Sequence, residues 1–243
     1  MRIVTHWRVG WAIDSLAPYK SPGMDGIFLA LLQEGQGVLI PKPVTIFRAC
    51  LATGYVSAIW HQVKVVFIPK PRSNSYCGTR DFRTISLTFF LLTTMDRLVD
   101  RFLRDEILAL KPLHPNQHSN QLVSLWKWLF ISSWFGLRRQ EIALGVFLDI
   151  EGAFNNTSYN SLCKALAKHG VDHTIIRSIT ATLEGQVATA TLGGFSRSIE
   201  CLEAAHREGS CLLSYGALLL MNCWQGSMWE VFILQVMQMI FVF

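Results

Sequence analysis

Charge is scarce in this sequence. Only 16% of its 243 residues are Asp, Glu, Lys or Arg, against about a quarter in soluble domains, and 51% are hydrophobic. The deficit is local. From Leu122 to Leu137 the only charge is Lys127, and from Gly209 to Phe243 the only charge is Glu230. Those two stretches also hold Trp126, Trp128, Trp134, Trp224 and Trp229, most of the 8 tryptophans. Metal-ligand spacing is lacking as well. Cys50, Cys77, Cys163, Cys201, Cys211 and Cys223 form no CxxC pair, which argues against a structural zinc site and for reduced, intracellular thiols, in cytoplasm or nucleus. His169 and His173 are four apart with Gly170 between them and no carboxylate partner, so they read as loop histidines. No apolar core of signal-peptide type opens the chain. The net charge of +5 permits a polyanion partner without demanding one.

What is present centres on Leu144-Gly145-Val146-Phe147-Leu148-Asp149-Ile150-Glu151-Gly152-Ala153-Phe154. An apolar run ends on a lone aspartate, followed by a small-residue turn. A buried strand with one carboxylate at its tip can hold a metal ion. A core strand ending in a solvated turn explains the same residues.

Upstream, Val63-Lys64-Val65-Val66-Phe67-Ile68 is β-branched and stops at Pro69-Lys70-Pro71. Phe82-Arg83-Thr84-Ile85-Ser86-Leu87 reads as a second strand, able to pair with the first as a hairpin. Lys70 and Arg83 would then lie close together. Two cations on a hairpin can grip phosphates, the Arg as a fork and the Lys as a point charge, or they are two solvated surface cations.

Thr88 to Leu110 carries Leu91, Leu92, Met95, Leu98, Val99, Phe102, Leu103 and Ile107 at helical spacing, and Lys111-Pro112 ends it. Helices are predicted near Tyr159 to Lys168 and Thr174 to Leu183, and strands over Val187 to Leu192 and around Ser196 to Glu200. Met1 to Ile13 has no strong signature. Ile27 to Leu51 has mixed helical spacing, interrupted by Pro41 and Pro43. The order of elements predicts an α/β fold with its active edge at a strand tip.

Five stretches together resemble the reverse transcriptase of non-LTR (LINE-type, jockey-like) retrotransposons. They are Pro18 to Gly26 (Pro-Tyr-Lys-Ser-Pro-Gly-Met-Asp-Gly), Phe67-Ile68-Pro69-Lys70-Pro71, Asp81 to Leu87, Pro112-Leu113-His114-Pro115-Asn116-Gln117-His118, and Phe147 to Phe154. They occur in the family's order, at about its spacing, over roughly Asp14 to Gln121 and Gln140 to Glu200. Met24 and Thr84 stand where the family usually has Pro. The resemblance implies a right-hand polymerase, with an α+β palm. Residues 1–13 would lead in, 14–140 form a fingers-like region, and 141–200 a partial palm. Asp149 would be a catalytic carboxylate and magnesium ligand. Phe154 would pack under the incoming sugar, and Lys70 and Arg83 would contact the incoming dNTP. The implied partners are an RNA template and a DNA primer, and the implied chemistry is two-metal nucleotidyl transfer.

The family's Tyr-Ala-Asp-Asp hairpin and Gly-Cys-Pro-Gln-Gly-Gly loop are both missing from the text, so the magnesium site is expected to be incomplete and this chain inactive. Both peptides become spellable when codons are read from the third base of each visible codon. Glu203 to Gly209 then allows Gly-Cys-Pro-Gln-Gly-Gly, and Gln235 to Ile240 allows Gly-Tyr-Ala-Asp-Asp. Residues 122–139 and 201–243 are accordingly expected to be off-frame translation in a decayed fragment of a larger open reading frame. A palm strand left without its neighbour would expose unpaired edges. Two other readings stand beside this one. The uncharged run from Gly209 to Trp229 has about the roughly 20 residues that span a bilayer, so a membrane anchor within 209–243 is an alternative. A nucleic-acid-binding remnant using Lys20, Lys70, Arg72, Arg80 and Arg83 is another.

Overall fold

The computed structural model describes residues 2–71, 78, 81–112, 147–150, 158–192, 195–200 and 234–237. The fold is mixed α/β, as predicted from the order of elements. Four short helices come first: α1 (His6–Asp14), α2 (Leu29–Glu34), α3 (Gln36–Leu39) and α4 (Pro41–Thr53). A 3₁₀ turn at Ala58–His61 leads into β1 (Gln62–Pro69), then β2 (Phe82–Leu87) and α5 (Phe90–Phe102), which continues as a π-helical turn at Leu103–Ile107. After β3 (Phe147–Ile150) come α6 (Tyr159–Lys168), α7 (His173–Leu183), β4 (Val187–Leu192), β5 (Phe195–Glu200) and β6 (Leu234–Met237).

Two sequence expectations needed revision in the first fifty residues. The opening stretch is a helix, started by Thr5, whose hydroxyl accepts from Arg8 N at 3.2 Å. Its apolar stripe is short: Val9, Ala12 and Ile13 are buried. Pro41 does not interrupt a helix but begins one, at a position where a missing N–H costs nothing. Pro43, in the same first turn, is buried with Val44, Phe47, Cys50 and Leu51 on the inner face of α4.

The predicted stripe on α5 is the inner wall of the core. Leu92, Met95, Leu98, Val99 and Leu103 are buried, with Leu91, Phe102 and Ile107 packed against them. Thr94 shares that face and donates to Phe90 O at 2.8 Å, so its hydroxyl is satisfied within the helix. Asp100 on α5 is buried as well, against the expectation that it faces solvent, and Arg104 Nε in the following turn bonds both its carboxylate oxygens at 3.0 and 3.2 Å. Arg101 lies over Trp11 at 4.1 Å and Trp7 at 5.0 Å, which binds α1 to α5 by cation–π contact as well as by packing.

One hydrophobic core spans the described part of the chain, from Ile3 to Leu183. The long-range ties are specific. Ser178 Oγ on α7 lies 3.3 Å from Cys50 O and 3.2 Å from Leu51 O, at the C-terminal end of α4. Arg177 Nη2 donates to Ala52 O at 3.1 Å. Helix ends carry carbonyls with no partner inside the helix; Arg177 supplies a donor to one of them, the cap N–H of Gly54 serves Cys50 O at 2.9 Å, and the one Ser178 proton is shared with Thr174 O at 3.0 Å on its own helix. Gly54 closes α4 in the left-handed region, φ +64°, and a Cβ there would fall 2.3 Å from Arg177 Nε. Further on, His61 Nε2 meets Ala181 O at 2.9 Å. Tyr159 Oη donates to Leu183 O at 3.0 Å. The end of α7 is thus held beside the start of β1.

That placement explains the sheet. β4 emerges next to β1 and pairs with it in parallel, Gln62 opposite Val187 and Val65 opposite Ala190. β2 and β5 add antiparallel strands outside, giving the order β2-β1-β4-β5. β3 lies in a second, two-stranded sheet with β6, antiparallel, Asp149 opposite Gln235. The expectation that the strand of Asp149 has no neighbour is therefore corrected. Four residues of the apolar tail, Leu234 to Met237, pair along one of its edges. The rest of 201–243 and all of 122–139 lie outside the described residues. Among the described residues no helix is long and apolar enough to cross a membrane, and the proposed anchor run from Gly209 to Trp229 lies outside them.

Two stability predictions follow from this packing. Gly54→Ala forces a strained φ and displaces Arg177, and should cost at least ~1 kcal/mol in urea denaturation. Ser178→Ala, which removes a buried donor to α4, should cost about 1 kcal/mol, with no change in the slope of the transition.

Candidate nucleic-acid interface

The β1–β2 hairpin is the predicted one, in register: Lys64 pairs with Leu87, Ile68 with Arg83, and Pro69 with Phe82. Its open end is closed by backbone and by one carboxylate. Lys70 N donates to Asp81 O at 2.8 Å, Asp81 N to Gly78 O at 3.1 Å, and Gly78 N to Asp81 Oδ2 at 2.8 Å. Pro69 sits on the last residue of β1, where the ladder ends.

Side chains alternate along a strand, so Ile68 and Arg83 share one face. Lys70, two residues beyond Ile68, falls on that side too, next to the Asp81 turn. The hairpin therefore brings together the two cations that the sequence singled out, and both are exposed. Lys64 shares this face by the same alternation and is exposed as well. Its register neighbour on β4 is Thr189, whose Oγ1 is 2.9 Å from Ser198 Oγ on β5. Beyond it Thr191 Oγ1 donates to Ser196 Oγ at 3.4 Å. Lys64 and this pair of hydroxyl rungs were not picked out from the sequence. Only the parallel β1–β4 pairing, between strands more than a hundred residues apart, assembles them into one surface. The opposite face carries an edge-to-face pair, Phe67 and Phe82, with centroids 6.5 Å apart.

Asp149 is on β3, as predicted, and its register neighbour is Gln235. Phe154, Arg72 and Arg80 lie outside the described residues. Among the described residues no group of three or more His, Cys, Asp and Glu side chains is placed to hold a metal ion. A pair of Mg²⁺ ions needs several oxygen donors.

The two histidines differ from their expected loop setting. His173 opens α7, behind Asp172, whose carboxylate caps Thr174 N at 2.8 Å; hydrogen bonds from the Thr174 side chain, then from its backbone, hold that carboxylate below the usual range. His169 caps the end of α6 and is buried, with Nδ1 unpartnered. Burial, then the charges of Lys111 and Lys168, push its pKa down. Lys111 reaches Lys168 O at 3.4 Å, so a cation already occupies the end of this helix.

Comparison with known proteins bears out the resemblance read from the motifs: the chain is related to the polyproteins of non-LTR retrotransposons. Over 216 residues, 87% of its length, it is 24% identical to the retrovirus-related Pol polyprotein of the type-1 retrotransposable element R2 of Popillia japonica. Over 169 residues, 68% of its length, it is 23% identical to a putative 115 kDa protein in the type-1 retrotransposable element R1DM of Drosophila melanogaster. The chain spans 29% of the first relative's length and 16% of the second's. No protein-family model matches it.

The His169 site generates a pH prediction. Its folded pKa lies below the unfolded value of about 6.5, so the unfolded chain binds the proton more tightly. The stability contributed by neutral His169 is complete above about pH 7 and is lost as pH falls through the folded value. Urea midpoints should drop as pH falls below about 7, and His169→Gln should flatten that part of the profile.

Proposed function

We propose that this chain is a fragment of an RNA-directed DNA polymerase of a non-LTR retrotransposon, which keeps a nucleic-acid-binding surface but does not complete nucleotidyl transfer. The observation that carries the reading is the β1–β2 hairpin. It unites two separate motifs, Phe67 to Pro71 and Asp81 to Leu87, and sets Lys70 and Arg83 on one exposed face. The relationship to the R2 polyprotein over most of the chain supports it.

In this reading residues 14–140 descend from fingers and 141–200 from part of a palm. Arg83 presents a fork of donors that matches a phosphate, and Lys70 adds a point charge beside it. In the ancestral enzyme they would hold the triphosphate of a dNTP, Phe154 would pack against its sugar, and Asp149 would be one of several magnesium ligands. A bound metal pair would supply the charge that stabilises attacking and leaving oxygens. Here Gln235, not a carboxylate, is the register neighbour of Asp149, which favours binding without catalysis.

The test has two arms. Fluorescence anisotropy with a single-stranded RNA should show binding that weakens with salt. Lys70→Ala and Arg83→Ala should each lower the slope of log K against log salt by about one contact, without altering sequence preference. Primer extension with Mg²⁺ and dNTPs should give no product above background, and Asp149→Ala should change nothing. Salt-independent binding would remove the first half of the proposal, and template-directed extension the second.

A further inference from the structure

We infer that the coding sequence of this chain changes reading frame three times: it leaves the ancestral frame shortly before residue 122, regains it near residue 140, and leaves it again just after residue 200.

The structure supplies the evidence for the return. Residues before 112 and after 158 fit one another in detail. Arg177 donates to Ala52 O, the Ser178 hydroxyl sits against Cys50 O and Leu51 O, His61 meets Ala181, and β1 and β4 pair in register. Leu162, Leu166, Ile175, Ile176 and Ile179 share one core with Val9, Phe47 and Met95. Side chains chosen by an arbitrary frame have no reason to be complementary across that distance. The two flanks are therefore written in the same frame, and any off-frame stretch between them is bounded on both sides.

The stretch between them is where composition breaks. Visible residues Leu122 to Leu137 carry one charge and three tryptophans. Read from the third base of each codon, Gln121 to Arg139 allows Ala-Gly-Lys-Ser-Val-Glu-Met-Ala-Leu-His-Gln-Leu-Val-Val-Arg-Val-Glu-Lys-Ala. Counted from its first Val, apolar residues fall at i, i+3, i+4, i+7, i+8 and i+11, while the other side carries Glu, His, Gln, Arg and Lys with a Met at i+2 and a Val at i+9. That is the stripe of a surface helix, which the visible text lacks. The choice is narrow, because visible neighbours settle most bases. Trp has one codon, so Trp126-Lys127 forces a hidden Glu and Trp134-Phe135 a hidden Val. Met has one codon too, so in the tail Met237-Gln238 forces Ala and Met239-Ile240 forces Asp. Charge returns to both charge-poor segments in the same alternative frame.

This inference rests on the retrotransposon reading for the identity of the hidden tail peptides, and on periodicity and packing for the first segment. Sequencing the DNA that encodes Gln117 to Phe243 tests it. The expected result is a third-base frame that is open through 122–139 and from Glu203 onward, spelling the amphipathic segment and then Gly-Cys-Pro-Gln-Gly-Gly. A stop codon in that frame within either segment, or codons at Glu203 to Gly209 that spell otherwise, overturns it. Expression adds a protein-level check. The chain translated with both segments returned to frame should reach at least a tenfold higher soluble yield than the chain as written, and equal yields count against the inference. Loss of the RNA-binding result would bear on the proposed function alone, because the frame is read from DNA.

Discussion

The contact between the end of α4 and the face of α7 is the constraint on which the rest of this fold depends. The end of α4 is held by residues more than 120 positions later: Arg177 donates to Ala52 O, and the single Ser178 hydroxyl lies within reach of Cys50 O and Leu51 O. Gly54 makes the approach possible, since any Cβ there would strike the Arg177 side chain. Fixing α7 in this way fixes where it ends. From that end His61 and Ala181 are brought into hydrogen-bond contact, and β4 is delivered alongside β1.

Function depends on the same chain of placements. A two-stranded hairpin alone is marginal in water, so β1 and β2 need further strands or a packed face to persist. β4 and β5 supply the strands. They also extend the face of Lys64 and Arg83 with hydroxyls from Thr189, Ser198, Thr191 and Ser196. The result is an exposed, cationic and hydroxyl-bearing surface of a kind suited to phosphates. The second sheet, with Asp149, has a different history in this chain. Its partner strand lies within the charge-poor tail, and the residue at the register position of Asp149 is an amide rather than a carboxylate.

Legibility in the sequence followed the range of the interactions. Helix α6 and strands β2 and β4 have their predicted bounds, and α7, β1 and β5 depart from theirs by one residue at one end or both, because hydrophobic period and turn residues are local signals. The apolar stripe on α5 was readable, although the helix also buries Phe90, Thr94 and Asp100, and its last turn widens into a π form that periodicity does not report. Helix α1 was missed because its buried stripe is short. Its one clear signal was Thr5 as N-cap. Pro41 was misread as a break because the same residue type stops a helix interior and starts a first turn, and only the flanking backbone distinguishes them.

By itself the sequence determined which segments are helix and strand, the pairing of β1 with β2, the family relationship carried by ordered motifs, and the two stretches whose composition does not belong. Each rests on neighbours in the chain or on codons. The tertiary structure alone decided that β1 runs parallel to β4, that Lys64 joins Lys70 and Arg83 on one face, that His169 is buried beside Lys111, and that Asp149 sits opposite Gln235. Those pairings join residues tens to more than a hundred positions apart. Their partners are set by packing free energy over the whole core, which no local pattern encodes.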